Sequence, residues 1–276
     1  MVLTDDLGRK ITLSRPARRI VSLSPATTEN LFAIGAGAFV VGRSSADDFP
    51  PQAKRLPVAG DFGKPDYERI RVLRPDLIVV EIDKADVATV DNAQRRLNAP
   101  VLVQSSHRYA DVPRHLLQLG EITGKTKQAK AQADVMAQVQ RRALHGGDRK
   151  ARPRPTVFVE VSASPLYAAG PGSFVDDLIT LAGGTNVVKG TSAFPIYSKE
   201  SLLVANPQIY IVAVGGQMNP STNGSPVLTG PLSRIAAVKT GNVHQIPADF
   251  LFRPTPRLAL GLQSLYNVIH PNERPR

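Results

Sequence analysis

Five histidines, His107, His115, His145, His244 and His270, are scattered along the chain, and none has the i,i+4 or short spacing of a metal site. They are expected on surfaces or in packing. Cysteine is absent, which excludes disulfides, thiolate ligands and a cysteine nucleophile. Asp47-Asp48 and Asp176-Asp177 are adjacent carboxylates, and their settings suit a loop turn and a helix N-terminus better than an acid/base pair. The stretch Gly120-Glu121-Ile122-Thr123-Gly124-Lys125-Thr126 has the composition of a phosphate loop. That loop needs four residues between its glycines and a strand before it. Here three residues intervene and a helical pattern precedes, so the stretch is expected to be a helix end and linker, with Gly120 closing the helix. No Gly-x-Gly-x-x-Gly follows a strand and no Gly-x-Ser-x-Gly is present. No cofactor-dependent or hydrolytic constellation emerges.

The remaining chemistry is binding. Aromatic and polar residues fall where strands should end: Ser24 to Thr28, Ala46 to Phe49, Asp61-Phe62-Gly63, Leu166-Tyr167, Phe194-Pro195 and Asp249 to Arg253. In parallel sheets, ligands bind beyond the carboxyl ends of the strands. One aromatic is more often core than contact. As a group they point to loops, because glycine and proline neighbours put several of them there.

The elements that must position these loops follow from the pattern. Leu3 to Leu13 reads as a hairpin, Arg19 to Pro25 as a strand ended by proline, and Glu29 to Ile34 as a helix capped by Thr27 or Thr28. Phe39 to Gly42 and Val58 start further strands, and Val101-Leu102-Val103 closes a first lobe after a helix around Ala88 to Leu97. Lys127 to Leu144 lacks Pro and Gly and is rich in Ala, Gln, Lys and Arg. It is the longest helix candidate, ending at Gly146-Gly147, with Val135, Met136, Val139 and Ala143 as its apolar stripe. Asp148 to Pro155 is a basic, Pro-rich linker, and strands at Thr156 to Val161, Ile209 to Val214 and Val243 to Ile246 alternate with helices at Phe174 to Ala182 and Arg257 to Ile269. Alternating strands and helices imply α/β lobes with mostly parallel sheets.

One stretch occurs twice. Asp66-Tyr67-Glu68-Arg69-Ile70-Arg71-Val72-Leu73-Arg74-Pro75 returns as Ser198-Lys199-Glu200-Ser201-Leu202-Leu203-Val204-Ala205-Asn206-Pro207, each followed by a β-branched run. The offset from Glu68 to Glu200 is 132 residues, far longer than a solenoid repeat. It suggests two related lobes. The length of 276 residues agrees, being the size at which one core gives way to two. We expect domains at 1–110 and 151–276 with connector helices at 111–150. The formal charge of +11 is dispersed and aromatics are 5% of residues, a poor fit to nucleic-acid binding. No apolar run spans a membrane and no signal peptide is visible at Met1.

Five motifs carry a family resemblance: Arg19-Ile20-Val21-Ser22-Leu23-Ser24-Pro25-Ala26-Thr27-Thr28-Glu29; Asp48-Phe49-Pro50-Pro51; Glu68-Arg69-Ile70 with Leu73-Arg74-Pro75-Asp76-Leu77; Leu119-Gly120 with Thr123-Gly124-Lys125; and Phe252-Arg253 with Pro256-Arg257. With them the chain resembles the substrate-binding proteins of ABC importers that serve cobalamin, ferric siderophores and haem. The cobalamin-binding branch is the nearest likeness, through Ser24-Pro25-Ala26-x-Thr28-Glu29 and Ser45-x-Asp47-Asp48-Phe49-Pro50-Pro51. The resemblance implies two Rossmann-like lobes joined by one long connector helix, a ligand captured in an inter-lobe cleft, and no catalysis. It places ligand contacts at Ser24, Pro25, Ala26, Ala46, Asp47, Phe62, Gly63, Glu81, Tyr167, Phe194, Asp249, Phe252 and Arg253. Phe62, Tyr167 and Phe194 fall on stacking positions, Asp249 and Arg253 on a polar pair. Ala46 and Glu81 stand where that branch has aromatics, and tryptophan is absent. Ferric siderophore or haem is the alternative ligand, and an enzyme on the same scaffold the alternative of another class. The resemblance also implies a monomer in the periplasm, or a lipid-anchored protein outside the cell. Its partner would be a transmembrane permease dimer whose arginines meet Glu68 and Glu200. Read on their own, those glutamates also suit the positive end of a helix dipole, worth about 0.3–1 kcal/mol each.

Overall fold

Runs of apolar residues buried on both faces make a parallel sheet the centre of each lobe. The computed structural model describes residues 1–82, 85–145, 153–215 and 228–272. Its chain divides into two units, Met1–Val135 and Met136–Arg276. In the first, β1 (Val2–Thr4) and β2 (Lys10–Thr12) form an antiparallel hairpin. Strand β3 (Ile20–Ser22) leads into helix α1 (Pro25–Ala33), then β4 (Val40–Gly42) and a small hairpin of β5 (Gly60–Asp61) and β6 (Lys64–Pro65). Helix α2 (Tyr67–Leu73), β7 (Leu77–Glu81), α3 (Val87–Leu97), β8 (Val101–Gln104) and α4 (Asp111–Thr123) complete it. The sheet runs β4-β3-β7-β8 with every pair parallel. Its strands pack with Ile70 and Val90 from the helices.

Helix α5 (Thr126–His145) carries the chain across the boundary between the units. The second unit contains β9 (Thr156–Ala163), β10 (Leu166–Ala168), α6 (Phe174–Leu181), β11 (Thr185–Asn186) and α7 (Lys199–Ala205). Then follow β12 (Ile209–Val214), α8 (Ala236–Lys239), β13 (Val243–Pro247), α9 (Ala248–Phe252) and α10 (Leu258–Ile269). Strands β9, β12 and β13 are parallel, β10 is an antiparallel edge, and β11 pairs in parallel with β9. Phe158, Leu202, Tyr210 and Val212 centre this core.

The repeat is a repeat of structure. Helices α2 and α7 each have seven residues. Asp66 caps the first by accepting from the Glu68 and Arg69 amides, and Ser198 caps the second by accepting from the Ser201 amide. Each ends on a left-handed residue, Arg74 at φ 47° and Asn206 at φ 41°, and proline then blocks continuation. One apolar residue in each is fully buried, Ile70 and its counterpart Leu202, worth about 1.5–3 kcal/mol apiece.

Four local expectations change. Helix α1 begins at Pro25 rather than after Thr27 or Thr28, since proline's fixed φ suits a first helical position. Gly120 does not end α4, which runs on to Thr123 and stops at Gly124 in the left-handed region. Val58 forms only an isolated bridge with Arg43. Val135 is 53% exposed and off the buried stripe of α5, which is Ala129, Ala133, Met136 and Ala143. The expected helix end at Gly146-Gly147 and the linker as far as residue 152 lie outside the described residues.

Candidate ligand-binding loops and docking helices

In the first unit, side-chain hydroxyls and one carboxylate tie the candidate loops to one another. Ser24 Oγ accepts from the Glu81 amide at 3.0 Å and pairs with Thr27 Oγ1 at 2.9 Å. This joins the end of β7 to the start of α1, and explains why Ser24 does not cap that helix with its side chain. Thr28 Oγ1 donates to Asp47 Oδ2 at 2.5 Å, and Ser44 donates to Asp47 through both its hydroxyl and its amide. Burial pushes the Asp47 carboxyl above its usual range in spite of these bonds. Asp47 is 1% exposed, so its role on view is to lock the loop. Ser45 Oγ donates to Asp61 Oδ1 at 2.6 Å, fastening the same loop to the β5–β6 hairpin. At the tip of that hairpin Phe62 is 57% exposed, with Gly63 at φ 76° making the turn. Ala26 is buried in α1, while Pro25 and Ala46 are half-buried.

Glu81 turns inward. Its Oε1 accepts from the Ser106 amide at 2.6 Å, and its Oε2 has no hydrogen-bond partner but lies 3.6 Å from His115 Nδ1. His115 is fully buried, and its Nε2 donates to Asp6 Oδ2 at 2.6 Å. Arg114 also pairs with Asp6, at 2.5 Å, and the Ser105 amide donates to it at 2.7 Å. Burial alone would raise the Asp6 carboxyl, but the bonds from His115, Arg114 and Ser105 hold it well below the usual carboxylate range. Glu81 is driven the other way, because burial outweighs His115 and Ser106. Spacing in the sequence gave no sign of this cluster, whose members lie up to 109 residues apart.

In the second unit four expected residues form two pairs. Phe194 and Phe252 pack edge to face with centroids 6.2 Å apart, a favoured geometry for aromatic rings. Asp249 pairs with Arg253 at 3.1 Å and with Arg257 at 3.2 Å, and Arg257 is a member of this group that the expected set lacked. Tyr167 lies on β10, whose bridge to Ile196 holds the Phe194 segment against it. Gly170 makes that approach possible, since a methyl there would stand 2.3 Å from Ser192 O.

The two glutamates lie in the first turns of α2 and α7, and both are exposed. Glu68 also pairs with Arg71 at 3.0 Å. Among the described residues no group of His, Asp and Glu is placed to hold a metal ion, and no helix is long and apolar enough to cross a membrane.

Two α/β lobes thus carry a duplicated glutamate helix and aromatic loop ends. The chain matches the periplasmic binding protein family over residues 20–250, and it belongs to that family. The vitamin B12-binding protein of Salmonella choleraesuis (strain SC-B67) is 30% identical over 270 residues, 92% of this chain and 90% of that one. The periplasmic vitamin B12 binding protein BtuF of Vibrio cholerae has a similar structure, with TM-score 0.78 and 23% identity over 92% of this chain and 97% of that one. A periplasmic heme binding protein from Pseudomonas aeruginosa is as similar, with TM-score 0.77 and 22% identity over 94% and 95% of the two chains. These last two establish the fold, not the ligand.

Proposed function

We propose that this protein captures cobalamin or a related corrinoid outside the cytoplasm and delivers it to the permease of an ABC importer. The aromatic set carries the reading: Phe62 exposed on a turn, Phe194 packed on Phe252, and Tyr167 bridged to Ile196 two residues after Phe194. A corrin presents broad, flat, largely apolar faces, which aromatic rings suit. The 30% identity to a vitamin B12-binding protein supports the same ligand. Ser24 and Asp47 support the site by fixing loops, with Pro25, Ala26 and Ala46 nearby. Glu68 and Glu200 are the charges that orient the protein on arginines of the permease, which favours association rate and register over affinity.

Calorimetric titration with cyanocobalamin tests this. We expect saturable heat and thermal protection, with the affinity weakened about tenfold by Phe62→Ala or Phe194→Ala, a loss of about 1.4 kcal/mol. No heat and no protection would refute the corrinoid reading. A second reading then has an observation of its own: Asp249 pairs with both Arg253 and Arg257, and guanidinium groups suit the oxygen donors of an anionic ferric siderophore. Haem would draw on Tyr167 as an axial ligand.

A further inference from the structure

Val72 is 80% exposed and Val204 is 86% exposed, the two highest values for large apolar side chains among the described residues. They occupy the same position of the repeat, four residues after Glu68 and Glu200. On a helix an i,i+4 pair shares one face, so each lobe presents a carboxylate with an isopropyl group one turn beyond it. Scattered exposed apolar residues are ordinary and need no cause. A matched pair beside two matched charges is a different case. Helix stability does not call for it, since β-branched residues are weaker helix formers than Ala, Lys or Glu. Beside α2 the apolar surface continues into a groove of about 510 Å³ lined by Pro57, Val58, Glu68, Arg69, Val72 and Leu73. Beside α7 it continues as Leu203, 41% exposed, where the first copy has Arg71.

We propose that Val72 and Val204 are the apolar anchors of docking on the importer's membrane subunits. Each seats in a nonpolar recess of that partner, next to the cation that meets the neighbouring glutamate. This inference rests on the docking role proposed for Glu68 and Glu200. Duplication identifies the occupant: the same two-part patch on each lobe fits a partner that presents the same recess twice. The glutamates supply long-range attraction and register, and the valines the desolvated contacts that slow dissociation. The second patch, with Leu203 in place of Arg71, is the more apolar, so Val204 carries the larger share.

Photocrosslinking in cells of the source organism tests this. A benzoylphenylalanine replaces Arg69 in one strain and Ser201 in another, both exposed on the same helices. Adducts are identified by mass spectrometry, and the expected one is with a multi-span importer subunit. Val72→Asp should lower its yield about tenfold, Val204→Asp at least as much, and the double variant more. Val135→Asp, at an exposed site on α5, should leave it unchanged, and melting curves should show all four variants folded. If Glu68→Lys with Glu200→Lys abolishes the adduct while the valine variants keep most of it, the anchors are refuted and the docking charges stand. If neither pair matters, or no such adduct forms, the docking role fails and this inference with it. Equal loss from Val135→Asp would also overturn it.

Discussion

Gly120→Ala sets two effects of opposite sign against each other, and the structure decides between them. Alanine is the better helix former by about 1 kcal/mol, and Gly120 lies inside α4, three residues before its end. Propensity alone therefore predicts a more stable protein. A methyl on Gly120, however, would stand 2.4 Å from Ala129 Cβ in α5 and 3.3 Å from Lys125 O and Thr126 Cα. Carbon atoms in comfortable contact are about 3.5–4.0 Å apart, so α4 and α5 would have to separate by about 1 Å. The turn between them resists this: the Lys125 amide donates to Gly120 O at 2.7 Å and the Ala129 amide to Lys125 O at 2.9 Å. Overpacking of this kind costs about 1–3 kcal/mol and occasionally more. The clash wins, with a net loss of about 1–2 kcal/mol and a melting temperature lower by about 2–8 °C. Ala129→Gly removes the opposing methyl, so the double variant should recover most of that loss in thermal and urea melts. A higher melting temperature for Gly120→Ala would refute the account, as would a double variant that loses the sum of its two single changes.

Two further outcomes follow from the first unit. Burial holds the Glu81 carboxyl above its ordinary value of 4.5, so this group favours folding below that pH and loses the contribution as pH rises through its folded pKa. Glu81→Gln should therefore melt above the parent at pH 7, with the gap closing toward pH 4.5, and an equal or lower melting point at pH 7 would count against the cluster as drawn. Arg74 holds the left-handed position that its counterpart Asn206 fills more easily. Arg74→Asn should stabilise by about 0.5–1 kcal/mol in urea melts, and a loss would show that the arginine side chain matters there.

Elements whose identity rests on local pattern were legible in the sequence. Ile209–Val214 is an unbroken apolar run bounded by Pro207 and Gly215, and it is the strand expected. The helix at Val87–Leu97 begins within a residue of its expected start, since Asp86 caps it and Asn98 ends it. Errors came where a residue answers to something distant. Gly120 looked like a helix end because glycine usually marks one, but here it serves the approach of α5, which no local pattern reveals. Val135 looked like part of a stripe, yet 3.6-residue periodicity puts Ala129, Ala133 and Met136 on the buried face instead. For the site, the resemblance pointed to loops, and the structure separates their members. Asp47 and Ser24 are spent on holding backbone, Phe62 and Phe194 stand exposed, and Glu81 is turned into a cluster with His115 and Asp6. Asp6 to His115 is a contact across 109 residues, and pairing of that range leaves no mark on spacing.

The duplication itself separates structural from functional residues. Where the backbone sets the requirement, Pro75 and Pro207 are shared, but the other positions differ in residue and agree in task. Asp66 and Ser198 are different caps for the same helix start, Arg74 and Asn206 different residues in the same left-handed turn, and Ile70 and Leu202 different fillings of the same buried position. Any residue able to do the job suffices, so identity drifts. The glutamates and the exposed valines behave the opposite way: they are the same in both copies at positions where the fold accepts many side chains. A first-turn carboxylate gains at most about 1 kcal/mol from the helix dipole on a surface, and a solvent-facing valine gains nothing from its own lobe. Identity without a structural requirement is what a shared external surface would impose. A partner with two equivalent faces would impose it at both sites at once.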